Sequence, residues 1–411
     1  MKKRVLLVEP SFYGVEFVRS AKELGCEVIC LVEAATDPEK YGYQDLFDDL
    51  IITDVRSVTA ILTSIQESPY SHFAALIPCT DYVTAVTAAV AQSLGVFGTP
   101  LVAAQAARNK DLARQIYQEK GVSSAAFQKV TTLNNAKAAA NRIGYPLVLK
   151  PTNTASSIAV FYIRTAAELA RRFQTITRLK TSYLGFQVRH EYLLEEFLQG
   201  PEFSVELFLQ QGQIAFAEVT EKKTTQPPFF VETMHIFPTT ILKEQRSKII
   251  QTAFAAVSAL GFQAGPTHVE VKVTATGPRI VEVNGRPGGD SITSDLVYDA
   301  YGINIFTETI KLYLGLALTL KPSKRQAAAT GFIFATKAGI FEKIENLPLL
   351  ENNALIKRYV IETKVGTKVK IPENSDDRLG YFIVNADTSI AAKRLASNLQ
   401  AKLKVVVRSI R

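Results

Sequence analysis

The run from Gly265 to Asp290, GPTHVEVKVTATGPRIVEVNGRPGGD, concentrates residues able to do chemistry. Glu270 and Glu282 lie in two strand-forming stretches, VEVKV and RIVEVN. Asn284 follows Glu282 by two positions, so both project from the same side of one strand. Two carboxylates and an amide oxygen on adjacent strands make a hard, oxygen-rich site of the kind Mg²⁺ prefers. Arg286 adds a planar cationic fork suited to a carboxylate or a phosphate. A metal and an arginine at the end of a hairpin predict chemistry on an anionic substrate beside a bound nucleotide.

Two other clusters extend this. Lys150 closes the strand PLVLK before the hydroxyl-rich loop Thr152-Asn153-Thr154-Ala155-Ser156-Ser157. A lysine there can neutralise phosphate oxygens while loop N–H groups cradle them; alone it would read as a surface lysine. In LLEEFLQGPEFSVELF, Glu195 and Glu202 flank a turn. Alone, each would be a solvated strand-end charge. Together they can serve a nucleotide: the carboxylate before an extended FL accepts from an adenine amino group, and the one beyond the turn holds ribose hydroxyls.

These residues need elements to carry them. At 411 residues, two to four folding units are expected. A composition of 47% hydrophobic and 21% charged residues fits a globular protein with a large core. No apolar run approaches the roughly 20 residues of a membrane span. The opening VLLV stops at Glu9, too short for a signal-peptide core, and reads as a strand. Cys26, Cys30 and Cys79 have no metal or redox spacing and read as buried thiols in a reducing cytoplasm. The net charge of +8 is spread along the chain, so a solvated basic surface is the reading rather than a nucleic-acid partner.

Strands over 4–8 and 27–32, a helix over 15–24, the strand AALIP and a helix over 82–94 predict an open parallel α/β domain over 1–100. Its loop Glu9 to Gly14 lies where ligands of such sheets bind, without a G-x-G-x-x-G signature. One helix is expected over 103–120, carrying Lys110. Alternating elements follow over 101–325, with a small lobe at about 123–200, and a mixed C-terminal lobe over 326–411 ends on the strand KLKVVVRSI. Asp81 reads as a helix cap that a substrate could also reach, and Lys272 as a solvated strand lysine. His72 and His190 have no partners in sequence.

The order Lys110, Lys150, Glu195, Glu202, Glu270, Glu282, Asn284 resembles the ATP-grasp superfamily of carboxylate–amine and carboxylate–thiol ligases, over roughly residues 4–320. The resemblance implies an α/β chain, α+β in its ATP-binding part. It has a Rossmann-like N-terminal domain, the ATP-grasp domain and a C-terminal lobe. It further implies that Lys110, Lys150 and the loop with Ser156 and Ser157 bind ATP phosphates. Glu195 with the Phe197 and Leu198 backbone would take adenine, and Glu202 the ribose. Glu270, Glu282 and Asn284 would hold Mg²⁺, with Mn²⁺ able to substitute. The phosphate-covering loop is often glycine-rich in this superfamily; here it has no glycine, which predicts stiffer closure.

Two stretches, EKKTTQPPFFVETMHIFPTTI and PTHVEVK…VEVNGRPGGD, look like bacterial L-amino acid ligases and their carnosine-synthase-like relatives. That likeness implies amino acid substrates, with Arg286 holding the acid's carboxylate and its acyl phosphate. Glu232, His235, His268 and Gly289 would line the pocket. Phe229, Phe230 and Met234 suggest an apolar wall for a substrate side chain, with core packing as the equal alternative. For His235 and His268 a packed or hydrogen-bonded histidine is the alternative, and for Gly288-Gly289 a tight turn. The expected activity is joining two L-amino acids through an acyl phosphate, giving a dipeptide, ADP and phosphate. The alternatives are a ligase with another acid or acceptor, or a non-catalytic ATP-binding protein. A cytoplasmic enzyme is implied, with no nucleic-acid or membrane partner and a homodimer as the assembly common among such ligases. The amino acids joined and the base that deprotonates the amine are not readable from sequence.

Overall fold

A computed structural model of the chain describes residues 2–70 and 72–409. Ile410, the end of the expected last strand, lies outside them. The N-terminal sheet is built from β1 (Arg4–Val8), β2 (Glu27–Val32), β3 (Asp49–Ile52) and β4 (Ala75–Pro78), all parallel, in the order β3-β2-β1-β4. These are short apolar runs with both faces covered, as buried parallel strands require. One cover, the helix Ile305–Tyr313, arrives from far along the chain and packs Phe306 and Ile310 beneath β1 and β4.

The helix expected over 103–120 is two helices, Leu101–Arg108 and Lys110–Lys120. Asn109 between them is extended (φ −113°, ψ 98°). The break is held by tertiary bonds. The Lys110 amide donates to the Thr152 carbonyl at 2.8 Å, and the Arg189 guanidinium donates to Asn109 Oδ1 at 2.8 Å. Lys110 is thereby turned inward at the start of the second helix.

A small sheet follows, from β5 (Phe127–Val130), β6 (Leu147–Pro151), β7 (Phe161–Ile163) and β8 (Tyr192–Glu196), ordered β5-β8-β6-β7. The segment between β6 and β7, expected to resume as a strand at Ile158, forms turns up to Val160. Ser156, Ser157 and Ala159 all sit at φ near +55° (54°, 56° and 56°). A side chain is strained there, so the glycine-free loop takes glycine-like conformations at a conformational cost.

The largest sheet contains β9 (Glu202–Gln210), β10 (Gln213–Thr224), β11 (Glu232–Phe237), β12 (Gly265–Thr274) and β13 (Gly277–Asn284). It continues through β14 (Ala327–Ile333) to later strands. The remaining strands are β15 (Gly339–Glu345), β16 (Ile356–Ile361), β17 (Lys368–Val369), β18 (Gly380–Ala386) and β19 (Lys404–Arg408). The large sheet runs β13-β12-β9-β10-β11-β14-β18-β16, while β17-β15-β19 form a small separate sheet. The C-terminal strands therefore extend the central sheet through the β11–β14 pair. In β9, β12 and β13 the apolar partners Val205, Val269 and Val283 face the helix Lys243–Leu260. The alternate positions carry the polar residues. No helix among the described residues is long and apolar enough to cross a membrane.

Gly331 on β14 lies against the ring of Phe382. A Cβ there would stand 2.4–2.9 Å from three ring atoms. Phe382 is fully buried, so the ring has nowhere to go. Gly331→Ala is expected to cost about 1–3 kcal/mol of stability, read from the denaturation midpoint in urea. An unchanged midpoint would show that the core yields there.

Candidate functional site

Antiparallel pairing places Glu270 opposite Glu282 and His268 opposite Asn284. On the other side of β12, Glu270 pairs with Ser204, His268 with Glu206 and Lys272 with Glu202. Further out, Lys222 pairs with Glu202 and His235. Paired residues share a face, so this register assembles one polar face from five strands.

Lys222, which sequence reasoning passed over, sits at the centre. Its side chain is 2% exposed, and its ammonium lies 2.6 Å from Glu232, 2.9 Å from Glu270 and 3.5 Å from Glu202. Burial disfavours the charge, but the three carboxylates outweigh it and raise the Lys222 pKa well above the ordinary value. Glu270 is the reciprocal case: burial is overcome by Lys222 and His268, and its pKa falls well below the carboxylate range. Glu202 goes the other way. Burial, with Glu270 and Glu232 nearby, raises its pKa despite Lys222. Its neighbour Lys272 is not the solvated lysine expected: it lies 3.6 Å from Glu202 and over the rings of Phe197 and Phe230.

His268 donates through Nδ1 to Glu206 at 2.8 Å, and its Nε2 lies 3.8 Å from Glu270. Burial lowers its pKa, but Glu206 pushes it up to about 9, so the ring is a cation at neutral pH. Gly288 is packed against this pair. A Cβ would meet Glu206 Oε2 at 2.6 Å and His268 Nδ1 at 2.8 Å, so close approach rather than turn geometry accounts for the glycine.

The two expected phosphate lysines lie near one another, at the edge of this face that carries Glu282. Lys110 is 3.0 Å from Glu282 and donates to the Thr154 carbonyl at 2.6 Å. Lys150 is 2.6 Å from Glu195, which also takes 2.7 Å from Arg114. Against the opposing effect of burial, Arg114 and Lys150 hold Glu195 below its ordinary value. The Glu195 carboxylate is thus held by two cations, at the strand end where the sequence places an adenine contact. Leu198 is buried, and Phe197 stacks on Phe230 at 5.4 Å, which makes an aromatic wall beside the strand end. Ser156 and Ser157 are exposed.

Arg286 is reached from the N-terminal sheet. Its guanidinium stands 5.1 Å over the Tyr13 ring, and its Nε lies 3.9 Å from Asp81. Asp81 is no helix cap: its carboxylate meets Arg108 at 2.6 Å. Burial opposes that charge, yet Arg108 and Arg286 lower its pKa. Gly289 faces Tyr13, at 3.7 Å for a built Cβ. His235 is fully buried with both ring nitrogens unpartnered, 3.8 Å from Glu232 and 3.9 Å from Asp290. Asp290 is itself held at 2.9 and 3.0 Å by Arg378 from the C-terminal strands. His190 Nδ1 lies 3.3 Å from the Tyr192 hydroxyl, His72 is exposed, and the three cysteines are buried and unpaired.

The oxygen donors Glu270, Glu282 and Asn284 therefore lie in register on neighbouring strands, and this donor set fits a hard divalent cation. Of the residues missed in sequence, Lys222 comes onto the same face as His235 only when β10 and β11 pair. Tyr13 lies in the loop Glu9 to Gly14, whose place at the sheet edge was its only signal, and Arg114 and Arg378 had none.

Residues 143–295 match the ATP-grasp domain family, and residues 331–408 match L-amino acid ligase C-terminal domain 2. Alanine–anticapsin ligase of Bacillus subtilis is 34% identical over 214 residues, covering 48% of this chain and 45% of that protein. Human carnosine synthase 1 is 30% identical over 194 residues, covering 46% of this chain and 23% of that protein. The chain thus matches less than half the length of each. Among solved structures, an L-amino acid ligase from Bacillus licheniformis superposes with a TM-score of 0.82 at 22% identity, over 99% of both chains. That likeness concerns the fold.

Removing the central ammonium tests the site. Lys222→Met leaves Glu202, Glu232 and Glu270 facing one another, and is expected to cost about 3–5 kcal/mol at neutral pH. The carboxyl pKa values then rise in the folded chain above their unfolded values. The folded chain binds protons more readily, so stability of the variant should recover as pH falls toward about 5. Denaturant titrations at several pH values check this; a variant whose pH profile parallels the wild type would refute the charge-compensation account.

Proposed function

We propose that this chain is a carboxylate–amine ligase of the ATP-grasp superfamily and that it joins two L-amino acids into a dipeptide with ATP as the energy source. The observation that carries the reading is Arg286. It stands beside the Glu282–Asn284 strand end, at the meeting of the metal-suited face and the N-terminal sheet. The matched L-amino acid ligase C-terminal domain supports amino acids as substrates.

On this reading Lys110 and Lys150 receive ATP phosphates, and the Phe197–Phe230 wall with the Leu198 backbone receives the adenine. Glu202 holds the ribose. Glu270, Glu282 and Asn284 would hold Mg²⁺, which supplies charge neutralisation at the phosphates. One amino acid's carboxylate oxygen attacks the γ-phosphorus and ADP leaves, forming an acyl phosphate. Arg286 stabilises the charge on the transferred group, the principal protein contribution to such a step. The neutral amine of the second amino acid attacks the acyl carbon, and phosphate leaves with the electron pair of the broken C–O bond. The Glu232 carboxylate, with His235 beside it, faces the ammonium of the first amino acid, where the carboxylate's opposite charge favours binding. The loop with Ser156 and Ser157 excludes water from the acyl phosphate.

The test is phosphate release from ATP and Mg²⁺ with all twenty L-amino acids, singly and in pairs, with mass spectrometry of products. Release that requires particular pairs and yields a dipeptide mass supports the reading. Silence across all pairs with ATP binding intact refutes it, and leaves a different acceptor or a non-catalytic nucleotide-binding role. Arg286→Ala should cut product formation by about 10²–10³-fold while ATP still binds. Glu282→Ala should remove Mg²⁺-dependent ATP use. Near-normal turnover in Arg286→Ala would place the acyl centre elsewhere.

A further inference from the structure

The carboxyl edge of the N-terminal sheet holds buried polar groups that the protein itself leaves unpartnered. They lie at β1 and β4, where the strand order reverses direction, the point at which open α/β sheets bind ligands. Thr80 Oγ1 and Arg286 Nε have no hydrogen-bond partner, Thr80 is 4% exposed, and the Tyr13 hydroxyl donates to no group. The Asp81 backbone amide approaches the Tyr13 oxygen and leaves its proton unassigned. Behind them stand Ser11 and Glu9, with Ser11 Oγ and Glu9 Oε2 also unpartnered. Burial, reinforced by Asp37 and Glu33, pushes the Glu9 carboxyl up to about 7, so it too can donate a proton.

Unsatisfied buried polar groups are uncommon in folded proteins, and a cluster of them on one edge calls for a ligand. The loop is also strained: Glu9 and Phe12 hold φ at 55° and 51° without being glycine. Gly14 locks it down, since a Cβ there would stand 2.5 Å from the Cys79 carbonyl. The chemistry of the free groups decides what fits. Two hydroxyls and a guanidinium N–H are donors, and Asp81, the nearest carboxylate, is already neutralised by Arg108. The unmet demand is for an anion.

Resting on the ligase reading above, we propose that Tyr13, Thr80 and the Nε edge of Arg286 form the subsite for the α-carboxylate of the acyl acceptor. The acceptor is then an amino acid, not a simple amine. Arg286 lies between the two substrates. Its amine-side neighbour is anchored by the N-terminal sheet, with the acceptor nitrogen directed back toward the acyl carbon.

The experiment uses the whole chain with the donor amino acid found in the pairwise screen. Three acceptors are compared: an amino acid, its carboxamide and its decarboxylated amine. The amino acid should be favoured by about 10- to 100-fold in kcat/KM, the worth of a charge-assisted contact. Thr80→Val and Tyr13→Phe should each raise the acceptor KM by about tenfold and shrink that preference. Trapping of the donor's acyl phosphate as a hydroxamate with hydroxylamine should change by less than about twofold in both variants. An amine that serves as well as the amino acid overturns the proposal. So do variants that depress hydroxamate formation as much as ligation, since Tyr13 and Thr80 would then act on the donor. If no pair gives product, the ligase reading fails separately. The subsite is then read by calorimetric titration of L-alanine and of ethylamine onto the chain with Mg²⁺ and a non-hydrolysable ATP analogue. Tighter binding of alanine that weakens in Thr80→Val supports it; equal or absent binding overturns it.

Discussion

A half-buried sheet face crowded with carboxylates can exist only if each carboxylate meets a cation, and Lys222 is where that constraint is tightest. One ammonium serves Glu202, Glu232 and Glu270, on three different strands. A carboxylate desolvated without such a partner costs several kcal/mol or surrenders its charge. The same rule runs outward from that centre: Glu206 against His268, Glu282 against Lys110, Glu195 against Lys150 and Arg114, Asp290 against Arg378. These pairs fix the neighbouring backbone. The Lys110 helix starts where its first amide meets the Thr152 carbonyl, and that placement brings the lysine to Glu282.

This organisation makes the face ready for ligands without having to build it on arrival. The proposed metal ligands Glu270 and Glu282 each face a lysine, Lys222 and Lys110, whose place a divalent cation can take. On the ligase reading, Lys110 so released is one of the two lysines that ATP phosphates need. Burial, with like charge from Glu270 and Glu232, raises the Glu202 pKa despite Lys222.

Three parts of the chain close around that face. The loop at Tyr183 binds Asp376, in the helical turn Ser375–Asp377 before β18, at 2.7 Å, while Ser182 meets Tyr82 of the N-terminal domain at 2.6 Å. Arg56 donates to the Leu184 carbonyl at 3.0 Å. The small sheet with Lys150 is therefore tethered on both sides. The strained turn at Ser156 and Ser157 is exposed, between half-buried neighbours. Motion there is compatible with a cover that opens for nucleotide without disturbing the carboxylate face.

Local periodicity carried much of this into the sequence. Glu282 and Asn284 share a face because strand side chains alternate, and a hairpin between VEVKV and RIVEVN brings Glu270 opposite. Those relations need only a few residues, as do the strand before Lys150 and the parallel start of the N-terminal sheet. What no local pattern holds is which distant strands become neighbours. Lys222 read as one of two lysines in EKKTT until β10 fell between β9 and β11 and buried it among glutamates. Asp81 read as a cap until Arg108 and Arg286 converged on it. The break at Asn109 came from Thr152 and Arg189, not from any helix-breaking residue. Residue types and short-range spacing thus determined which chemistry the chain could host. Tertiary structure alone decided which charges share a site, because register between remote strands and the pairing of buried ions are settled by packing rather than by neighbours in sequence.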